Sequence, residues 1–309
     1  MKRAIVSGAT GMIGAACIES CLQAGYEVLA LVRPESNKRN RLPEDGRLMI
    51  APCRLDELDA FSNEAQRGDV FLHFAWEATA RKDRADPLMQ EKNIRYALDA
   101  VHLAHRLGCG KFIGAGSQAE YGPSDGWLNP DSPIHPVTAY GAAKYAAFAR
   151  CKDECGRLGM EFCWARIFSV YGPYDSEDTL IGALIRTLLK RETISLTACE
   201  QQWDYLYAED CGRALRLIAE RGRDKAVYCI GSGNVRPLRE YVQILRDSID
   251  PELPLGFGRM PYAENQVMFL GADIQTLTAD TGFLPRIPFE TGIRRTIGSV
   301  IKEIGLPEL

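Results

Sequence analysis

Apolar runs and helical patterns alternate along the first part of the chain. Runs of β-branched and other apolar residues predict strands over 2–7, 26–32, 47–53, 69–76 and 109–115. Helical spacing predicts helices over 15–25 and 86–108, the second with Asp86 as N-cap, Pro87 at its first position and Gly108 at its end. Strands that alternate with helices in this way predict a parallel sheet with helices on both faces.

The second half of the chain continues the pattern with shorter elements. A helix is predicted from Thr138 to Gly156, an amphipathic helix over 179–191, a short strand over 194–196 and another helix over 209–220. The whole chain is therefore expected to be of the α/β class.

Composition narrows the function classes only slightly. The 309 residues are 46% hydrophobic and 25% charged with a net charge of −4, so there is no sign of a basic surface for nucleic acid or anionic lipid. No apolar run approaches the roughly 20 residues of a membrane span, and the start of the chain has no signal-peptide core. A cytoplasmic protein without a membrane partner is expected. The ten cysteines show no CxxC spacing, which favours reduced, buried thiols over a metal site.

Three glycines follow the first predicted strand directly. They lie in Gly8-Ala9-Thr10-Gly11-Met12-Ile13-Gly14, between that strand and the first helix. Glycines at this spacing can form a plain turn, but in a strand–turn–helix they let the backbone approach a pyrophosphate at the helix N-terminus. This stretch therefore predicts a dinucleotide site, with cofactor contacts from Gly8, Thr10, Gly11, Met12, Ile13 and Gly14.

The end of the second predicted strand bears on the choice of cofactor. NAD-selective sites place an Asp or Glu there, whereas an Arg accommodates the 2′-phosphate of NADP. Here the strand ends at Val32-Arg33-Pro34, with Lys38 and Arg39 close behind. A solvated basic loop is one interpretation. The pattern favours NADP(H), with Arg33 as a cofactor ligand and NAD(H) as the alternative.

Candidate chemistry lies just beyond the fifth predicted strand, at the sheet edge where open α/β folds bind ligands. Ser117 follows that strand, and Tyr140 and Lys144 are four residues apart on the next predicted helix, so they share one face. Of the 12 tyrosines, only Tyr140 has a lysine four residues on. A helix-surface Tyr–Lys pair is the alternative to a catalytic one.

The order of these motifs resembles the extended short-chain dehydrogenase/reductase family. The resemblance covers nearly the whole chain and continues through segments 166–173, 204–210, 227–233 and 281–285. It implies a Rossmann-type doubly wound parallel sheet with a smaller C-terminal α/β substrate-binding lobe. The dinucleotide-binding domain is then expected over 1–172, with a later contribution around 204–231, and the lobe mainly over 173–309.

The resemblance also implies roles for the candidate residues. Tyr140 exchanges a proton with the substrate oxygen, Ser117 hydrogen-bonds that oxygen, and Lys144 lowers the pKa of the phenol and binds the nicotinamide ribose. Ala75, at the end of a segment similar to the family's D-V-V-x-H-L-A strand, is expected to face the cofactor. His73 in the same strand is interpreted as a packed core histidine, and Asn93 as a residue that bonds back to the sheet.

In this family the smaller lobe holds a nucleoside diphosphate sugar. Gln118, Ser169 and Arg259 are the expected substrate contacts, Arg259 as a partner of the diphosphate. The sequence departs from the family at Ser169, usually Asn, and at Trp203, usually Arg. It also has Gln118-Ala119 where the related 4,6-dehydratases carry an Asp-Glu pair, so it has no evident acid–base pair for dehydration.

Several functions remain open at this point. The basic end of the second strand favours an NADPH-dependent reductase of a nucleotide-linked 4-keto-6-deoxyhexose over an NAD-dependent 4-epimerase. A reductase of a small ketone is a further alternative, as is a non-catalytic NADP(H) sensor, although such sensors typically lose the Tyr–Lys pair that is kept here. Relatives dimerise through a four-helix bundle, here of helices 87–107 and 140–155, and Ala97, Leu98 and Val101 face either that interface or the sheet.

Overall fold

The computed structural model describes residues 2–62, 67–80, 82–264 and 266–307. In chain order the strands are β1 (Arg3–Ser7), β2 (Glu27–Val32), β3 (Leu48–Pro52), β4 (Val70–His73), β5 (Lys111–Ser117), β6 (Glu161–Ile167), β7 (Ser169–Tyr171), β8 (Ile194–Ser195), β9 (Gln202–Tyr207), β10 (Ala226–Ile230), β11 (Val235–Pro237), β12 (Leu255–Gly256) and β13 (Phe269–Leu270). The helices are α1 (Met12–Gln23), α2 (Pro87–Arg106), α3 (Ala139–Leu158), α4 (Leu180–Leu189), α5 (Ala208–Arg221), α6 (Leu238–Asp247), α7 (Gln275–Thr281) and α8 (Phe289–Ile304).

The main sheet of the described residues has seven strands in the order β10-β6-β5-β4-β1-β2-β3. Every neighbouring pair is parallel. The chain winds outward from β1 in one direction through β2 and β3, then returns to build the other half from β4 onward. Ligands of such sheets bind where the winding reverses, at the carboxyl ends of β1 and β4. The predicted Rossmann-type, doubly wound parallel sheet is confirmed.

Alternation along the strands creates a core on each face of this sheet. In β1, Ala4 and Val6 pack with α1 and α5 on one face, whereas Ile5 packs with α2 and α3 on the other. Ala97 and Val101 are fully buried in the second core, so they face the sheet rather than a partner chain.

The smaller lobe is built mainly from the chain after residue 172. Strands β11, β9 and β13 form a small sheet to which β7 adds a parallel strand through β9, and β8 pairs with β12. Helices α4, α6 and α8 pack on it around a third core. The chain returns to the main sheet through α5, which packs on α1, and through β10, its edge strand.

The caps explain where the two long helices begin and end. Asp86 caps α2 by accepting hydrogen bonds from the backbone N–H groups of Leu88 and Met89, as predicted. The predicted end of α3 at Gly156 is wrong. The helix continues to Leu158 and ends at Gly159, whose φ of 71° is the left-handed conformation that terminates helices.

Two predictions from composition can be compared with these elements. All ten cysteines are buried free thiols. No helix in the described ranges combines the length and apolarity needed to cross a lipid bilayer.

Candidate active site

The glycine loop connects β1 to α1 at the point where the sheet winding reverses. Gly8 has a φ of +70°, and a Cβ there would lie 2.6 Å from the backbone nitrogen of Ala75. A Cβ at Gly14 would lie 2.2 Å from the carbonyl oxygen of Gly8. Both glycines are therefore required by close backbone packing, and Ala75 lies against the loop; its contact with the cofactor stays a prediction.

Gly11 differs from these two glycines because it is not closely packed. It is the exposed N-cap of α1, and a Cβ there would approach no heavy atom closer than the 3.4 Å to the Gly8 carbonyl oxygen. Internal packing therefore leaves space at this position. Because no side chain caps α1, the N–H groups of its first turn at Met12 and Ile13 are open to a ligand, beside half-buried Thr10. This cradle fits the pyrophosphate of a nicotinamide dinucleotide.

The end of β2 presents cations to solvent. Arg33, Lys38 and Arg39 are all exposed. Glu35, a nearby carboxylate that the sequence motifs do not single out, forms an ion pair with Arg54. The carboxylate nearest to Arg33 along the chain is thus engaged elsewhere.

Arg41 is a further cation, one that the sequence motifs do not single out. It donates to the carbonyl oxygen of Thr10 at 3.5 Å, and its guanidinium lies 4.6 Å from the ring centroid of Tyr174. It therefore links the glycine loop to the segment that follows β7.

The structure brings Ser117, Tyr140 and Lys144 together. Thr138 caps α3, which places Tyr140 in the first turn and Lys144 one turn later on the same face. Ser117, at the end of β5, acts on the Tyr140 phenol by lowering its pKa, which places its hydroxyl beside that phenol. The Lys144 ammonium donates to the carbonyl oxygen of Ala115 at 2.7 Å and lies 5.8 Å from the Tyr140 ring centroid. The alternative of a helix-surface pair is wrong, because Lys144 is buried.

Burial sets the protonation of this group. It raises the pKa of the Tyr140 phenol, with an opposing effect from Arg84, whose guanidinium lies 4.9 Å from the ring centroid, and from Ser117. Burial also lowers the pKa of Lys144 to about 7, against an opposing effect of Glu120. In the protein alone the phenol therefore keeps its proton at neutral pH, as a proton donor must.

Glu120 and Arg166 support the site from beneath and were not singled out from the sequence. The two side chains are 0% and 3% exposed and form an ion pair of 2.8 Å. The second carboxylate oxygen of Glu120 accepts hydrogen bonds from the Ser117 backbone N–H at 2.8 Å and from the Trp164 indole at 3.0 Å. This network holds the turn that carries Ser117.

His73 and Asn93 have structural positions. His73 is buried beside Ser7, at 2.8 Å between Nδ1 and the hydroxyl, and burial with the nearby Lys144 lowers its pKa to about 3. It is the packed core histidine that the sequence indicated. Asn93 accepts from the Glu77 N–H at 2.8 Å and donates to the Glu77 carbonyl at 3.2 Å, so it holds the segment after β4 rather than the sheet itself.

Two departures from the family pattern contact each other. The indole N–H of Trp203, on β9, donates to the Ser169 hydroxyl, on β7, at 2.8 Å, and both residues are partly exposed. Gln118 lies in the short turn after Ser117. Arg259 is exposed on the loop after β12, and none of the described hydrogen bonds or ion pairs joins it to Ser169 or Trp203.

Comparison with known proteins identifies the family. A sequence model of the NAD dependent epimerase/dehydratase family matches residues 4–231. The chain belongs to this family. The member described here is thus an NAD(P)-binding enzyme of the extended short-chain dehydrogenase/reductase type, as the motifs predicted.

Similar proteins extend over the full chain. A putative UDP-glucose 4-epimerase of Methanocaldococcus jannaschii is 25% identical, covering 95% of this chain and 96% of that protein. A CDP-abequose synthase of Salmonella typhimurium is 24% identical with 95% and 96% coverage. The structure of a UDP-N-acetylglucosamine 4-epimerase from Methanobrevibacter ruminantium superimposes with a TM-score of 0.86 at 23% identity, covering 98% and 99% of the two chains. A Streptomyces venezuelae dTDP-glucose 4,6-dehydratase with NAD bound gives 0.85 at 23% identity and 98% coverage of both.

Proposed function

We propose that this enzyme reduces the keto group of a nucleoside diphosphate 4-keto-6-deoxyhexose with NADPH. The observation that carries the proposal is the convergence of Ser117, Tyr140 and Lys144 at the carboxyl edge of β5, with Lys144 buried 5.8 Å from the Tyr140 ring centroid and bonded to the Ala115 carbonyl oxygen of β5, and Ser117 close enough to act on the phenol. A non-catalytic sensor has no need of this arrangement, which supports an enzymatic role.

Ser117, Tyr140 and Lys144 have different roles at the substrate oxygen. Ser117 donates a hydrogen bond that holds the keto oxygen and stabilises the charge that develops on it. Tyr140 gives its phenolic proton to that oxygen, and the positive charge of Lys144 stabilises the phenolate that remains. The nicotinamide, when bound, supplies the hydride to the keto carbon. Lys144 also holds the nicotinamide ribose, and the glycine loop holds the pyrophosphate.

The end of β2 supports NADP(H) rather than NAD(H). Arg33, Lys38 and Arg39 are exposed there, and Glu35 is paired with Arg54 rather than free to accept from ribose hydroxyls. A guanidinium binds a 2′-phosphate through two parallel hydrogen bonds. Arg33 is therefore the proposed ligand of that phosphate.

Features of the site and the relatives support a keto sugar nucleotide as substrate. CDP-abequose synthases from two Salmonella strains match the chain almost end to end, and their names describe formation of a nucleotide-linked sugar. Dehydration is disfavoured because Gln118 and Ala119 carry no carboxylate, and Glu120 is buried and engaged by Arg166. Gln118, Ser169 and Arg259 remain proposed substrate contacts.

An experiment separates reduction from epimerisation, the reaction named for several of the similar structures. The enzyme is incubated with NADPH or NADH and with 4-keto or 4-hydroxy nucleotide sugars, while nicotinamide absorbance and product stereochemistry are followed. Net loss of NADPH with a 4-keto sugar supports the proposal. Interconversion of 4-hydroxy epimers without net cofactor change would show an epimerase instead. Turnover of small ketones alone would remove the nucleotide sugar from the proposal.

A homodimer through α2 and α3 is part of the proposal. Ala97 and Val101 are not available for it, but Leu88, Met89 and Tyr145 on these helices are apolar or aromatic side chains that are 74%, 43% and 38% exposed. Light scattering of the wild type and of Tyr145→Glu measures this interface, and a monomeric wild type contradicts it.

A further inference from the structure

Trp76 lies directly over the buried lysine of the site. It follows β4 by three residues, and the Lys144 Nζ is 3.6 Å from the centroid of its indole. One N–H of the same ammonium goes to the carbonyl oxygen of Ala115 at 2.7 Å. A cation this close to an indole face is attracted by the electron density of the ring, most strongly where water is excluded.

Hydrogen bonds fix the orientation of this indole. Its N–H donates to the side-chain oxygen of Gln90 at 2.9 Å, and Gln90 is 1% exposed. The amide of Gln90 in turn donates to the carbonyl oxygens of Ala78 at 2.9 Å and Asp83 at 3.2 Å. The indole also meets the Tyr140 ring edge-on, with centroids 6.1 Å apart. Trp76 is therefore held by α2 and presents its face to the site.

Few of the groups around Lys144 stabilise its positive charge. Among the residues that the structure describes, no carboxylate forms an ion pair with Lys144. The charged and titratable groups around it lie on several elements: Tyr140 and Cys151 on α3, Glu120 after β5, His73 on β4, and Arg84 in the segment before α2. Of these, Glu120 is committed to Arg166, and Arg84 repels the ammonium. The indole face, at 3.6 Å, and the Ala115 carbonyl oxygen, at 2.7 Å, are then the groups in contact with the ammonium that favour its charged form.

We propose that Trp76 is a positioning residue of the site, whose indole face keeps the Lys144 ammonium charged and in place for Tyr140 and the cofactor, with Gln90 as its support. This inference rests on the proposed function of Lys144. It adds a residue that the glycine motif, the Tyr–Lys spacing and Ser117 do not indicate.

The first test uses the protein without cofactor or substrate. Because an ammonium next to an indole changes the emission of the ring, tryptophan fluorescence is followed from pH 5.5 to 9. A step with a midpoint near pH 7 is expected in the wild type, where the pKa of Lys144 is about 7. The step should persist in Trp127→Phe, a control at an exposed tryptophan that packs on Phe269, and disappear in Trp76→Phe and Lys144→Met.

The second test uses the pH dependence of kcat/KM, which reports the free enzyme. The charged Lys144 is the active form, so activity falls as pH rises through its pKa. Removing the aromatic face in Trp76→Leu should move the midpoint of this falling limb lower by about 0.5 to 1 pH unit. Trp76→Phe should give an intermediate shift, because its ring is smaller but still aromatic. Trp127→Phe should leave the limb unchanged.

The outcomes separate this inference from the proposed function. If Trp76→Phe keeps the fluorescence step, or Trp76→Leu keeps the wild-type limb, the indole is a packing residue and the inference is wrong. If Tyr140→Phe retains turnover, the proposed function fails, whatever the Trp76 variants do. A lower rate in Trp76→Leu without a shifted limb also overturns the inference, since loss of packing alone produces it.

Discussion

The buried ion pair between Glu120 and Arg166 makes the most demanding prediction about this fold. The pair lies under Ser117, where β5 and β6 are neighbours in the sheet, and water reaches neither side chain to any extent. Arg166 also donates to the Tyr121 hydroxyl at 2.8 Å and to the Pro130 carbonyl at 3.2 Å. Removing the arginine therefore leaves a buried carboxylate without its countercharge and takes the guanidinium donor away from the Tyr121 hydroxyl and the Pro130 carbonyl oxygen.

Replacement by an apolar side chain of similar length, Arg166→Met, measures this cost. Breaking a buried pair from one side typically lowers the free energy of unfolding by about 3–5 kcal/mol, because the remaining charge stays out of water. At about 2–4 °C for each kcal/mol in a chain of this general size, the unfolding midpoint should fall by roughly 6–20 °C.

The double variant Glu120→Gln/Arg166→Met is the informative comparison. Gln removes the charge, and its amide oxygen can still accept from the Ser117 N–H and the Trp164 indole. The double variant should therefore be more stable than Arg166→Met alone by about 1–2 kcal/mol. Urea and thermal unfolding of the wild type, both single variants and the double variant form the cycle that yields this interaction energy.

The cycle can refute the reasoning in a simple way. Additive single effects, with a double variant less stable than either single one, would show that the pair contributes little and that packing alone explains the loss. We also expect Arg166→Met to lower kcat at temperatures well below its unfolding midpoint. Arg166 holds Glu120, and Glu120 accepts a hydrogen bond from the backbone N–H of Ser117. Unchanged kcat in a destabilised variant would contradict that part.

The remaining predictions concern the site itself. Tyr140→Phe should abolish turnover and leave cofactor affinity nearly intact, as measured by steady-state kinetics and by nicotinamide fluorescence titration; retained activity would remove Tyr140 from its role. Arg33→Asp should shift preference from NADPH toward NADH in kcat/KM ratios, and an unchanged ratio would contradict the cofactor assignment. The third prediction follows from the pKa of Lys144, which burial lowers to about 7 in the folded state from its ordinary value above 10. Between these values the unfolded chain binds more protons, so the unfavourable contribution of Lys144 is full below about pH 7 and disappears as pH rises toward 10. Relative to Lys144→Met, the wild type should therefore gain stability over that range, by at most about 1.4 kcal/mol per pH unit, and parallel stability curves would refute this.

Local features of this protein were readable from its sequence because they depend on neighbours along the chain. The strand–turn–helix around Gly8 and Gly14 follows from the hydrophobic periodicity and the glycine spacing. The caps at Asp86 and Thr138 follow from the type of residue that precedes each helix. A shared face for Tyr140 and Lys144 follows from helix geometry alone. The boundary error at Gly156 arose because a glycine is tolerated inside a helix at about 1 kcal/mol, whereas the conformation at Gly159 is not visible in the sequence.

The tertiary structure decided which distant side chains meet. The partners of Glu120 at Trp164 and Arg166 are 44 and 46 residues away, and they reach it because the register of β5 and β6 sets Gly116 opposite Arg166. Composition and periodicity carry no information about that register. Two other contacts also depend on the tertiary structure alone. Trp203 and Ser169 are 34 residues apart and are joined by a hydrogen bond, and the Trp76 ring lies over the Lys144 ammonium. The candidate proton donor Tyr140 could thus be predicted from the sequence. Its supporting groups, Glu120, Arg166 and Trp76, could be identified only from the tertiary structure, because assembly of the sheet brings them to the site.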